Sequence, residues 1–211
     1  YNMAFKIEQI PVGQMANFSY LITDDGEEKE TAIIDPSWNL EKVLEIIKKN
    51  GYNVKYIINT HSHFDHVLGN DQIVAITKCK VIQHQNSKEK HDISVNDGDE
   101  LKIGKTLLKV LFTPGHSKDS ICLIVDSKII ITGDTLFVGN CGRTDLPGSD
   151  PEEMYNSLFE KILNLDDNLV VYPGHNYGYK PISTIREEKK NNYVLIPRTK
   201  EHFIKFMTGE E

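Results

Sequence analysis

Apolar and polar positions along the first third of the chain form two strand-like runs, FSYLI and TAIIDP. They flank the polar stretch TDDGEEKE, which predicts two strands joined by a hairpin loop. The period then changes. In NLEKVLEIIKKNG the residues Leu40, Val43, Leu44 and Ile47 recur at helical spacing, lysines fill the last turn and Gly51 supplies the stop. Beyond this helix, YIINTH, KVIQH, DELKIG, TLLKVLFTPGH, SICLIVD and KIIITGD make a strand-rich stretch punctuated by Gly, Pro and Asp. A second helix is predicted over Glu152 to Leu163, with Met154, Leu158 and Ile162 inward, ahead of VVYPGH. STIREEKK and KEHFIKFM read as short helical pieces. This mixture points to an α/β protein in which outer helices cover two sheets.

The 211 residues suffice for one domain with a sizeable core, expected over 3–211. Tyr1 and Asn2 before Met3 read as an altered start and carry no functional weight. With 39% hydrophobic and 26% charged residues the composition is that of a soluble globular protein. A net charge of −7 argues against a nucleic-acid partner and leaves a small molecule as the expected one. The apolar runs are far shorter than a membrane span, and no signal-like start precedes them, so no membrane partner is expected. Cys79, Cys122 and Cys141 are odd in number and lack a CxxC spacing, so neither a disulfide framework nor a thiolate zinc site is indicated, and a reducing cytoplasm fits. Nothing in the chain decides its oligomeric state, and a homodimer stays open.

Four apolar runs each end in a short turn bearing metal-ligand side chains: YIINT before His61, VLFTPG before His116, IIITG before Asp134 and VVYPG before His175. Strand ends are rigid, so side chains leaving several of them can converge with the fixed geometry a metal needs. In THSHFDH, His61 and His63 can point one way from an extended backbone, while Asp65 and His66 follow in a turn and face a neighbouring position. One segment can thereby serve two metals. Imidazole suits zinc, iron, copper and nickel, and the carboxylates admit iron and manganese, so the ligand types leave the metal open. His84, His91 and His202 have no such context and read as ordinary polar positions. A structural zinc site closes with four ligands, and seven candidates point instead to catalysis. A non-catalytic metal-binding domain is the remote alternative.

The pattern HxHxDH at 61–66, TPGH ending at His116, TGD ending at Asp134 and PGH ending at His175 resembles the metallo-β-lactamase superfamily. The resemblance implies an αββα four-layer sandwich. It also implies a first metal on His61, His63 and His116, a second on Asp65, His66 and His175, and Asp134 bridging them. Two divalent ions are implied, zinc foremost, with iron or manganese as substitutes. Zinc β-lactamases commonly use a cysteine at the second metal, and this chain has none there, which disfavours antibiotic hydrolysis.

TGDTLFVGNCGRTDLPGSD and YPGHNYG are similar to glyoxalase II, the hydroxyacylglutathione hydrolases, and to the persulfide dioxygenases. By the first likeness Cys141, Arg143 and Tyr177 are substrate-binding candidates, Arg143 standing where a lysine is expected; Asp145 departs from the expected tyrosine. Asp65 and Asp134 become the catalytic carboxylates, orienting a metal-activated water toward a thioester carbonyl. Only about three dozen residues follow His175, where glyoxalase II carries a helical glutathione-binding domain. The second likeness shares CGRTD and implies one Fe(II) on His61, His116 and Asp134, oxidising glutathione persulfide to sulfite; those enzymes read AHDY where this chain has GHNY at 174–177. Read from the residues alone, Arg143 can equally pair with Asp145 or Asp150, and Cys141 is better suited to packing than to nucleophilic attack. Thioester hydrolysis is the favoured reading.

Overall fold

A computed structural model describes residues 4–210; the expected altered start, Tyr1 and Asn2 before Met3, lies outside them, as does Glu211. The first strand, β1 (Phe5–Val12), is one that the apolar pattern does not announce, because several of its residues are only half-buried. It pairs antiparallel with β2 (Asn17–Asp24), from Phe5 opposite Asp24 to Val12 opposite Asn17. The sheet continues through β3 (Glu30–Ile34), β4 (Asn53–Ile58), β5 (Lys80–His84) and β6 (Ile93–Val95) in that order, parallel from β3 onward. The predicted helix is α1 (Leu40–Asn50), closed by Gly51 in a left-handed conformation. Two further helices, α2 (Phe64–Val67) and α3 (Asn70–Thr77), follow β4.

The second sheet contains β7 (Glu100–Ile103), β8 (Thr106–Phe112), β9 (Ile121–Val125) and β10 (Ile129–Gly133). A small hairpin, β11 (Leu136–Phe137) with β12 (Asn140–Cys141), leaves it before α4 (Pro151–Tyr155). The chain returns through β13 (Val170–Pro173) and β14 (Ser183–Thr184), then ends in α5 (Ile185–Asn191) and α6 (Lys200–Thr208). Strand order is β14-β13-β10-β9-β8-β7.

All eight residues of β2 are buried, which only a strand covered on both faces can show. Tyr20 and Ile22 pack with Leu108, Val110 and Leu123 between the sheets. Leu21, Ile33 and Ile57 lie with Val43 and Ile47 of α1 on one outer side. Ile130 and Val171 lie with Met154, Leu158 and Phe203 on the other. These are the four layers of the expected αββα sandwich, and each fully buried Leu or Ile in them contributes roughly 1.5–3 kcal/mol. Among the described residues no helix is long and apolar enough to cross a membrane.

The helix predicted over Glu152 to Leu163 is not regular. Its α-helical turn Pro151–Tyr155 widens into a π-helix at Asn156–Lys161 and tightens to a 3-10 turn at Ile162–Asn164. Met154, Leu158 and Ile162 still face inward, fully buried. The wide turn packs on the end of β8, where Ser157 Oγ donates to the Pro114 carbonyl at 2.6 Å and Lys161 Nζ to that of Phe112 at 2.7 Å.

Strand direction places the candidate ligands together. β8 and β10 are each antiparallel to β9, so they run the same way, and β13 is parallel to β10. The segments after β8, β10 and β13, which carry His116, Asp134 and His175, therefore leave one edge of the second sheet. The turn after β4 meets that edge, and Ile121 N donates to the Thr60 carbonyl at 2.8 Å.

Candidate metal centre

All seven candidate ligands converge. His61 Nε2 and His116 Nε2 lie 3.1 and 3.0 Å from His63 Nδ1, which makes one donor set. His66 Nε2 lies 3.2 Å from His175 Nε2 and 3.3 Å from Asp65 Oδ2, which makes a second. Asp134 Oδ2 stands between them, 3.4 Å from His116 Nε2 and 3.1 Å from His175 Nε2. Among the described residues, the groups of side chains able to hold a metal are drawn from these seven. His84 is instead buried in a face-to-face stack with Phe112, ring centroids 4.0 Å apart.

The far nitrogens of four imidazoles are occupied, and this aims the near ones. His116 Nδ1 donates to the Arg143 carbonyl at 2.9 Å and His175 Nδ1 to that of Met15 at 2.8 Å. His66 Nδ1 meets Asp35 Oδ2 at 2.9 Å, and His61 Nδ1 meets Thr60 Oγ1 at 3.2 Å. Such partners fix the tautomer and turn the opposite lone pair toward a metal. Near nitrogens of five rings then face one another at little over 3 Å, the spacing of donor atoms gathered around a cation. Asp134 Oδ1 is buried without a hydrogen-bond partner, a second sign that the donor set is made for cations.

The charges split the two sets. Burial, followed by the charge of His66, depresses the pKa of His61 well below 6.5, and burial with neighbouring His116 depresses that of His63. Burial opposes charge on His66 as well, but the carboxylates of Asp134 and Asp35 outweigh it and raise its pKa well above 6.5. His175 is raised in the same manner, with Asp134 overcoming its burial. Burial works toward protonating Asp134 and Asp65, yet His66 and its neighbours keep both ionised, Asp65 at a pKa of about 2.

Two glycines make the approach of these segments feasible. A Cβ at Gly142 would lie 1.9 Å from the Asp134 carbonyl oxygen, and one at Gly174 would lie 2.3 Å from Asp134 Oδ1. The Asp134 carboxylate is thus seated directly over Gly174.

Several residues that support the ligands carry little signal in the sequence. Asp35 accepts from Thr60 N at 2.7 Å and Thr60 Oγ1 at 2.6 Å in addition to His66, and so fastens the start of the THSHFDH segment. It ends the run TAIIDP, one more strand closed by an acid, and that recurrence could have revealed it. Asn17 donates through Nδ2 to Asp65 Oδ2 at 2.9 Å, with no motif to mark it. Glu188 and Asn192 hold the β11–β12 hairpin, through Gly139 N and the Phe137 and Asn140 carbonyls.

The ligands floor a cleft of about 630 Å³ whose walls include Met15, Phe64, Phe137, Leu146, Pro147 and Tyr177. Tyr177, 55% exposed, stacks on His175 with ring centroids 4.6 Å apart. Its pKa is raised by burial and by Asp134 and Asp65, so the hydroxyl keeps its proton and can donate to a ligand. Arg143 lies at the mouth and forms a two-pronged pair with Asp145, Nε to Oδ1 at 2.5 Å and Nη2 to Oδ2 at 2.6 Å. Asp150 instead caps α4, accepting from Glu152 N and Glu153 N. Cys141 is 6% exposed, and burial pushes its thiol up to about 12, which leaves it a cleft-wall residue without thiolate character.

This architecture recurs in known proteins. The probable polyketide biosynthesis zinc-dependent hydrolase PksB of Bacillus subtilis (strain 168) is 31% identical, over 98% of this chain and 95% of that protein. The human mitochondrial persulfide dioxygenase ETHE1 is 32% identical, over 90% and 75%. A hydroxyacylglutathione hydrolase of Polaromonas sp. (strain JS666 / ATCC BAA-500) is 36% identical, over 93% and 77%. The crystal structure of ETHE1 from Myxococcus xanthus superposes with a TM-score of 0.91 at 30% identity, over 99% of this chain and 92% of that one. The family model of the metallo-beta-lactamase superfamily matches residues 12–91 and 85–175, a span that holds every ligand described above. With fold, ligand pattern and sequence in agreement, the chain belongs to the metallo-beta-lactamase superfamily.

Proposed function

We propose that this enzyme hydrolyses thioesters of the hydroxyacylglutathione type at a two-metal centre. The observation that carries the reading is Asp134, whose Oδ2 lies 3.4 Å from a nitrogen of one complete donor set and 3.1 Å from a nitrogen of the other. His61, His63 and His116 would hold the first ion, Asp65, His66 and His175 the second, with Asp134 shared. Ions held there would supply Lewis acidity toward a carbonyl and would bring the pKa of water toward about 7. Asp65 and Asp134, both ionised, are the groups that accept hydrogen bonds from the attacking water and orient it. Tyr177 donates to the substrate from the cleft wall. A thiol ionises near pH 8.5, so the leaving thiolate departs without a dedicated acid, in keeping with a cleft that provides none beyond the phenol.

A second reading, persulfide oxidation by one iron on His61, His116 and Asp134, draws on the likeness to ETHE1 and on the shared CGRTD segment. Elemental analysis of protein purified without added metal separates the two. Two metal ions per chain, with thiol released from S-lactoylglutathione or short acyl thioesters and no oxygen consumed, is the expected result. One iron per chain with oxygen uptake on glutathione persulfide overturns it in favour of the second reading.

A further inference from the structure

The two donor sets share one support, Asp35, which holds His66 directly and His61 through Thr60, but their remaining supports come from different parts of the chain. His61 leans on Thr60 and His116 on the Arg143 carbonyl. The turn between β1 and β2 reaches only the other set. Met15 accepts from His175 Nδ1 at 2.8 Å, Phe18 N donates to the Gly174 carbonyl at 2.9 Å, and Asn176 N donates to that of Ala16 at 2.7 Å. Asn17 completes the group, as Nδ2 donates to Asp65 Oδ2 at 2.9 Å and to the Asp65 carbonyl at 3.1 Å. Among the described residues, no hydrogen bond from this turn reaches His61, His63 or His116.

Asn17 is 2% exposed, and its Oδ1 is buried without a partner. A residue chosen only to fill this space would have no orphan acceptor, since an apolar side chain of similar volume avoids it. What the amide provides is a fixed donor to one oxygen of Asp65. That bond orients the carboxylate toward His66 Nε2 and His175 Nε2, which lie 3.3 and 3.4 Å from Oδ2.

From this geometry we propose that Asn17 is a positioning residue for the second metal alone, and that it sets the affinity of that centre independently of the first. The inference rests on the two-metal reading above. Partners behind metal ligands typically change affinity by about 10–100-fold when removed.

The test is titration of metal-free protein with Zn²⁺ against a chelating dye, which yields a constant for each ion without recourse to turnover. Wild-type protein should bind two ions. Asn17→Leu keeps the volume while removing both the donor and the orphan acceptor, and should weaken the second ion about 10–100-fold, leaving the first within about threefold. Asn17→Ala should do the same. Thermal melting of the metal-free Asn17→Leu protein should show no loss of stability. Unchanged constants in Asn17→Leu, or equal weakening of both ions, overturn the proposal while the two-metal reading stands. A wild-type protein that binds one ion removes that reading and this inference with it.

Discussion

His66 and His175 hold protons more tightly than free histidine, whereas His61 and His63 release them more readily. A metal binds the deprotonated ring, so entry of an ion into the second donor set must displace protons at neutral pH, and entry into the first need not. The sign follows from the raised values. Affinity of the second centre should climb as pH rises from 6 to 8, while that of the first stays nearly level. Calorimetric titrations with zinc in two buffers of different ionisation enthalpy would measure the protons released per ion, and equal release by both ions would contradict the assignment. The convergence of these seven side chains was legible in the sequence because His and Asp in tight turns after apolar runs have few other uses. Their supports were not, since Asn17 and the Met15 carbonyl act through folded geometry that no local pattern encodes. Arg143 illustrates a different limit: sequence allowed both a substrate role and an ion pair, and the pair with Asp145 is what the fold presents.

At the scale of elements, the turn carrying His116 is clamped by the irregular helix after it. Asp150 N donates to the Gly115 carbonyl at 2.8 Å, and the Asp150 side chain caps α4 through Glu152 N at 2.8 Å and Glu153 N at 3.2 Å. Gly115 has φ +140°, and a Cβ there would lie 2.5 Å from the Met154 backbone, so strand end and helix are in direct contact. Replacing Asp150 with Ala removes the cap, a loss of about 1 kcal/mol. In a chain of this length that lowers the melting temperature by roughly 2–4 °C, which differential scanning calorimetry would register. No change would mean that α4 does not depend on its cap. The strands that end in ligands, and α1 with its Gly51 stop, were readable because period and stop signals agreed. β1 was not, as its burial does not alternate cleanly, and α2 is a four-residue turn whose polar positions, Asp65 and His66, belong to the candidate donor sets. The π-helical turn at Asn156–Lys161 leaves no trace in a pattern that keeps Met154, Leu158 and Ile162 inward.

Across the whole molecule the two sheets are joined at the end away from the ligands by Asp24, the last residue of β2. Its Oδ1 accepts from Lys105 N at 2.9 Å, Thr106 N at 3.0 Å and Thr106 Oγ1 at 2.9 Å, at the start of β8. Burial opposes the charge, but these bonds and that from Gly26 N prevail and hold the carboxyl below 3.8. A folded pKa below the unfolded value contributes stability above that unfolded value, and the contribution is lost as pH falls through the folded one. Asp24→Ala should accordingly cost roughly 3 kcal/mol at pH 7, where charged hydrogen bonds are broken and amides left unpaired, and the gap to wild type should narrow below pH 3.8. Urea unfolding at both pH values would test this, and a gap independent of pH would assign the loss to packing alone. The four-layer order was legible through the resemblance carried by the His and Asp motifs more than through the alternation of strand and helix, and this junction joins residues about eighty positions apart, so it could not be read locally. At the opposite end the seven candidate ligands meet, and their spread along the chain sets a timetable for biosynthesis. His61, His63, Asp65 and His66 emerge first from the ribosome, His116 and Asp134 complete one centre much later, and the other waits for His175. On the two-metal reading metal capture is thereby a late event, and a nascent chain halted before its final strands would present a half-built chelator to the cell.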